Sequence, residues 1–174
     1  VPKGKDTIVV HHAAGPRSQD ADTIKKAVLS RLHQPAYAKI IEADGQIKDF
    51  AGETATDVAH AKGFNTRGIG VCLAGFFDSA AVIAKTAPYM PEGYPGDVLD
   101  LEDPQGKALV YCLVVLCERH NIAPSRIIGH VDTFDLLGVK REKSCPGAQV
   151  HALLGKIRKR VTAELAKRRA SAKK

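Results

Sequence analysis

Three side chains in this 174-residue sequence stand where chemistry could be done: His11, His130 and Cys145. His11 follows the β-branched run Thr7 to Val10, and His130 follows a second short run, Arg126 to Gly129. Cys145 lies in the polar loop Lys143-Ser144-Cys145-Pro146-Gly147. Imidazole nitrogen and thiolate sulfur suit zinc, and three protein ligands leave a fourth position for water, which separates catalytic from structural zinc sites. The intervals along the chain are too long for a zinc-finger pattern, so spacing alone is a weak signal. By type alone, a histidine at a strand end is more often a surface or hydrogen-bonded polar residue. The other cysteines, Cys72, Cys112 and Cys117, fall in apolar segments and read as reduced core thiols. A cysteine in a polar loop is more often a ligand or nucleophile.

The elements that must position these residues can be read from periodicity and turn chemistry. Thr7 to Val10 predicts a buried strand leading into His11-His12. A helix is expected next, with Asp20 or Asp22 near its cap and Ile24, Ala27, Val28 and Leu32 on one stripe. Tyr37 to Glu42 and Gln46 to Phe50 flank Ala43-Asp44-Gly45, which predicts a hairpin. Gly68 to Gly75 predicts a fully buried strand with Ile69, Val71 and Leu73 on one face and Cys72 on the other. Residues 76–103, with Pro88, Pro91 and Pro95, are the least regular stretch, and a connection this long is usually functional or mobile. Asp103-Pro104 has the form of a helix start, and the helix it opens, to about His120, is apolar nearly all round and so expected at the centre. Arg126 to Gly129 returns as a strand. A last helix carries Val150, Leu153, Leu154, Ile157, Val161 and Leu165 on one face. No repeat or linker appears, which predicts an α/β (α+β) fold: one domain over residues 1–174, a central mixed sheet flanked by helices.

Charge is distributed unevenly. From Lys156 onward there are nine Lys and Arg against the single acid Glu164, out of 26 and 19 in the whole chain, so the body is near neutral and the net +7 sits on the tail. Such a tail attracts polyanions, whether nucleic acid, anionic lipid or wall polymer; it also reads as a solvated helix face with a frayed end. The run lacks interleaved aromatics, which single-strand nucleic-acid binding would favour. The longest apolar run, Ala108 to Cys117, is half of the roughly 20 residues that span a bilayer. Val1 to Asp6 carries no apolar signal core. The expectation is a soluble monomer made in the cytoplasm without a signal peptide.

Several blocks occur in an order that carries a resemblance. They are Ile8-Val9-Val10-His11-His12-Ala13-Ala14-Gly15, Tyr37-Ala38-Lys39-Ile40-Ile41-Glu42-Ala43-Asp44-Gly45, and His60-Ala61-Lys62-Gly63-Phe64-Asn65 with Gly68-Ile69-Gly70-Val71-Cys72-Leu73. Gly129-His130-Val131-Asp132 and Lys143-Ser144-Cys145-Pro146-Gly147 complete the set. Over residues 7–155 the sequence resembles the N-acetylmuramoyl-L-alanine amidase family, which includes the T-seven-type phage lysozymes and the peptidoglycan recognition proteins. The resemblance implies one Zn2+ held by His11, His130 and Cys145, with Tyr37 and Lys143 as catalytic partners. The substrate it implies is peptidoglycan, cut at the amide between N-acetylmuramic acid and L-alanine. It also implies that His60 and Asn65 line the substrate groove. Asp132 is a candidate for orienting a ligand. His12, next to His11 on a strand, should point to the opposite face. His33, His120 and His151 have no motif around them and are expected at the surface.

Within the family, the cytoplasmic amidases that recycle muropeptides usually carry aspartate at the third ligand, whereas here it is Cys145. The animal recognition proteins commonly carry disulfides and tryptophan, and this chain has no tryptophan. The phage-type lytic enzyme is therefore the leading expectation, acting on the envelope after release from the host cytoplasm. The alternatives are a recognition module that binds muropeptide without cutting it, and a recycling amidase. Two departures stand out: Ala38, where the phage lysozymes often have histidine, and the length of residues 76–103, which would add a lid or wall to the groove. The basic tail is expected against anionic envelope. Some phage lysozymes also bind an RNA polymerase, a contact on which this sequence is silent.

Overall fold

The computed structural model describes residues 4–173; Val1 to Lys3 of the polar N-terminus and Lys174 of the basic tail lie outside the described residues. The chain begins with β1 (Thr7–His12), all six residues of which are buried. It continues through α1 (Ala21–Leu32), β2 (Lys39–Ile41), β3 (Ile47–Asp49), β4 (Gly68–Leu73), α2 (Ala80–Thr86) and α3 (Pro104–His120). A single 3-10 turn at Pro124–Arg126 precedes β5 (Ile127–Gly129), α4 (His130–Leu136) and α5 (Ala148–Ser171). The strands form one mixed sheet in the order β3-β2-β4-β1-β5. Only β2 and β3 pair antiparallel, as expected of a hairpin; β1 runs parallel to both of its neighbours.

Alternation along β1 sorts its side chains between two faces. Ile8 and Val10 join Ile69, Val71, Leu73 and Ile127 beneath α3 and α5, where Leu109, Leu113, Ile157 and Val161 close the main core. Each such fully buried aliphatic side chain contributes about 1.5–3 kcal/mol relative to exposure. Val9 faces the other way, onto Ala61, Phe64 and Ile128. On that second face α1 covers Ile40, Cys72 and Ala74 with Ile24 and Val28. The result is a single domain of three layers. Among the described residues no helix is long and apolar enough to cross a membrane.

The helix ends follow from local chemistry. Asp20 caps α1 by accepting from Thr23 N–H at 2.7 Å, which decides between the two candidate caps. Asp103 caps α3 through Gly106 N–H at 2.7 Å, with Pro104 in the first turn where its missing N–H costs nothing. One side of α3 is buried, from Gln105 to Cys117, while Lys107, Tyr111 and Glu118 turn outward, so the helix is covered less completely than its composition predicts. The irregular stretch is more ordered than its prolines suggest. Ser79 caps α2 within it, and Tyr89 reaches across to donate to Ala14 O at 2.7 Å. Gln105, fully buried, donates to Ile41 O at 3.1 Å and Ala74 O at 2.8 Å while accepting from Arg17 Nε at 2.9 Å.

His120 is not a free surface residue. Its Nε2 lies 2.6 Å from Glu53, which also meets Arg119 and Lys39 at 2.6 and 2.9 Å. This clamp ties the 51–67 loop to the end of α3 and to β2. Burial alone would raise the Glu53 carboxyl, but hydrogen bonds from His120, Lys39 and Arg119 outweigh it and hold the group down to about 2. A carboxyl depressed in the folded state stabilises fully above its ordinary value, and that stabilisation is lost as pH falls towards the folded value. The expected outcome for Glu53→Gln is a flatter acid limb: its urea midpoint should fall less than that of the parent between about pH 4.5 and about pH 2. Parallel acid limbs for the two proteins would refute the clamp.

Candidate metal centre

The sheet itself brings the two histidines together. β1 and β5 run parallel with Val10 opposite Gly129, so the next residue on each chain, His11 and His130, stands at the same edge. Their ring centroids are 4.7 Å apart. His130 is also the first residue of α4, where Thr133 Oγ1 donates to its carbonyl at 2.7 Å. Asp132 Oδ2 accepts from Gly129 N–H at 2.8 Å and Oδ1 lies 2.7 Å from His151 Nε2. Asp132 therefore fixes the start of the helix that carries His130, acting on the backbone. His151, expected as an unengaged surface residue, is its half-exposed partner.

Cys145 arrives from a loop that is held at three points. Its carbonyl accepts from Val131 N–H at 2.8 Å, coupling it to the residue after His130. Ser144 Oγ donates to Asp78 Oδ2 at 2.6 Å, and Asp78 Oδ1 accepts from Ala148 N–H at 2.9 Å, capping α5 from a distance. Gly147 completes the turn at φ +90°, with its ideal Cβ position only 2.2 Å from Phe77 O, so a side chain is excluded on both grounds. Asp78 is the positioning residue that the sequence did not disclose. It is an isolated aspartate in an irregular stretch, with its partner 66 residues away.

The donor atoms of His11, His130 and Cys145 all lie within 4.8 Å of one another, and among the described residues they form the one cluster of three such groups. Cys145 Sγ is 3.5 Å from His11 Nδ1. Burial holds His130 down to about 4, with the Lys143 ammonium adding to the effect, and pushes His11 well below its ordinary range. Both imidazoles are thus neutral at working pH, with lone pairs free to ligate. Burial pushes the Cys145 thiol up to about 12, against the pull of the His12 backbone N–H and Lys143. A set of two neutral imidazoles and one thiol packed this closely fits a divalent cation, whose charge would draw off the thiol proton.

Tyr37 and Lys143 flank the cluster. Tyr37 is buried with its ring 5.0 Å from that of His11, one edge in the apolar group under α1. Burial, with Cys72 and Cys145 nearby, raises its phenol well above the ordinary range. Lys143 is exposed, and its charge is felt at His11, His130 and Cys145. His12 points away from the cluster, accepting from Phe77 N–H at its Nδ1, 3.2 Å.

The expected groove residues His60 and Asn65 both make contacts within the protein. His60 is only 4% exposed and lies behind His11, its Nδ1 3.2 Å from His11 Nε2. Asn65 Oδ1 accepts from Ala61 N–H at 2.8 Å, closing its own loop. His60 thus stands against the candidate ligand His11, at the ring nitrogen opposite the one that faces Cys145.

If Asp78 holds the Cys145 loop, Asp78→Ala should weaken metal binding by about tenfold or more. Competition with a chromophoric chelator measures this directly. Unchanged affinity in a folded variant would show that the loop sets itself.

The profile of the N-acetylmuramoyl-L-alanine amidase family matches residues 3–148. No curated protein sequence gives a significant match. Among solved structures, the endolysin N-acetylmuramoyl-L-alanine amidase LysCS from Clostridium intestinale is similar at 22% identity and TM-score 0.60, over 84% of this chain and 77% of that one. The Ph2119 endolysin of a Thermus scotoductus bacteriophage is similar at 18% identity and TM-score 0.63, over 89% and 85%. The E. coli amidase AmiD, solved with the substrate anhydro-N-acetylmuramic acid-L-Ala-D-gamma-Glu-L-Lys, is similar at 19% identity and TM-score 0.53, over 76% of this chain and 50% of AmiD. With a family match over most of its length and the same fold in these relatives, the chain belongs to the N-acetylmuramoyl-L-alanine amidase family and is an enzyme of that class.

Proposed function

We propose that the protein is a zinc-dependent amidase of the phage endolysin type, which hydrolyses the amide joining the lactyl group of N-acetylmuramic acid to L-alanine in peptidoglycan and so lyses the cell. The convergence of His11, His130 and Cys145 donors within 4.8 Å carries the reading. When bound, zinc acidifies water towards neutral pH and polarises a carbonyl. Around it the chain's own residues have distinct tasks. His11 and His130 supply neutral nitrogen and Cys145 supplies sulfur. Lys143, exposed at the rim, offers a fixed positive charge to the oxygen of the scissile carbonyl as negative charge develops there. Tyr37 keeps its proton because burial disfavours the phenolate, so it can orient the attacking water or pass a proton towards the leaving amine. A cysteine third ligand supports the lytic class over the recycling amidases, and the similarity to two endolysins points the same way.

In the tail, Arg160, Lys167 and Arg168 pair with Glu102, Glu164 and Glu118. Lys156, Lys159 and Arg169 are exposed and make no ion pair among the described residues. These cations suit an anionic envelope surface.

Two measurements test the proposal. Purified peptidoglycan digested by the zinc-loaded protein should release stem peptides beginning with L-alanine, identified by mass spectrometry. Chelation and Cys145→Ala should abolish release, and Lys143→Ala should lower kcat by about 100-fold or more. Tight binding with intact glycan-peptide would instead make the protein a recognition module. Separately, deleting residues 167–174 should reduce co-sedimentation with phosphatidylglycerol vesicles at low salt and leave cleavage of soluble muropeptide unchanged. Equal sedimentation would remove the tail's role.

A further inference from the structure

We propose that His60 is a positioning residue for the ligand His11: it accepts the Nε2–H of His11 at its own Nδ1 and so fixes His11 in the tautomer whose Nδ1 lone pair faces Cys145. The inference rests on the metal-centre reading above and gives His60 a task there.

A neutral imidazole carries one N–H, and the nitrogen that carries it cannot ligate. His11 is 1% exposed, so solvent does not choose its tautomer; its neighbours do. On one side Nδ1 lies 3.5 Å from Cys145 Sγ, within the cluster of donors. On the other, Nε2 lies 3.2 Å from His60 Nδ1, with the two rings edge to face at 84°. If His60 Nδ1 accepts, the His60 proton sits on Nε2. That atom is the one buried side-chain polar atom among the described residues without a hydrogen-bond partner. An unpartnered buried nitrogen is costly, and on the other side of the same ring Nδ1 meets His11. His60 also lines a cavity of about 10 Å3, close to the space of one water molecule.

The sheet is built to admit this ring. A Cβ at Gly68 would stand 3.0 Å from His60 Cε1, and one at Gly70 would stand 3.1 Å from His60 Cγ. Two glycines on the same face of β4 therefore leave the slot that lets His60 reach His11 across the strand. The loop bearing His60 is held down by Lys5, whose ammonium donates to Ala55 O, Asn65 O and Gly68 O at 2.6, 3.2 and 3.0 Å. Asn65, expected in the groove, tightens the same loop through Ala61. The His60-to-Asn65 block of the sequence is thus a support for the ligand.

The test uses His60→Leu, which removes the acceptor and keeps much of the volume, and His60→Gln, whose amide oxygen can still accept. In the metal-free protein, nitrogen-15 NMR of the histidine rings should show His11 protonated at Nε2 in the parent and in His60→Gln. In His60→Leu that signature should be lost or mixed. Zinc affinity should fall about 10–100-fold in His60→Leu and recover most of that loss in His60→Gln. A purely structural role would lower the melting temperature of both variants without moving the tautomer or separating their affinities. His11 protonated at Nδ1 in the parent, or a parent-like His60→Leu in both readouts, would overturn the proposal. If His60→Leu does not fold, the parent tautomer and the parent-like affinity of His60→Gln decide it alone. Should the parent itself bind no zinc, the proposed function fails, while the NMR signature still decides the role of His60.

Discussion

The parallel pairing of β1 with β5 is the constraint on which the rest of the structure depends, because it sets two histidines side by side before any loop is placed. Val10 opposite Gly129 leaves His11 and His130 at one edge of the sheet. A shift of one residue in either strand would turn one ring to the far face. A register is well specified wherever one face is buried, and here both faces are packed. Ile8 and Val10 are locked beneath α3 and α5, and Val9 is locked against the 51–67 loop. The main core, remote from the chemistry, is therefore what holds the histidines in place.

Burial then sets the chemical state of the cluster. With His11 buried and His130 and Cys145 largely shielded, desolvation favours the uncharged imidazoles and the thiol, so the protein alone carries little charge at its centre. The donor set accepts a cation without first having to shed protons from nitrogen. The nearest positive charge stands at the rim, on the exposed Lys143, and is felt at all three donors. Uncharged donors at the centre beside an exposed cation at the rim suit the proposed division of labour, in which the first group fixes geometry and the second meets charge that appears only during reaction.

Some of this was legible in the sequence and some was not, for physical reasons. Thr7 to Val10 and Gly68 to Leu73 announced themselves because fully buried strands are continuous apolar runs. Asp103 was legible as a cap because its partner lies three residues on, and the cap of α1 was narrowed to Asp20 or Asp22 for the same reason. The helix α4 was missed: seven residues offer too few turns for a periodic signal, and its cap, Asp132, lies inside it. The helix α2 hid among prolines. Asp78 was invisible because nothing in its neighbourhood marks a partner in another loop. His60 was legible as part of the site through its block, but its contact with His11 was not. A block resemblance reports nearness to a centre, whereas the side of the strand is decided by glycines at 68 and 70 that only the packed sheet explains.

Asp78 joins two structures that look separate along the chain, the turn carrying Cys145 and the first N–H groups of α5. The start of the last helix and the turn that carries a donor thus share one carboxylate, while the rest of that helix is held by Leu154, Ile157, Val161 and Leu165 in the main core. The enzyme's last 24-residue helix is then more than a cover for the core. Its first turn, at Ala148, is the part whose placement is shared with the turn that carries Cys145, so a change at Asp78 reaches both.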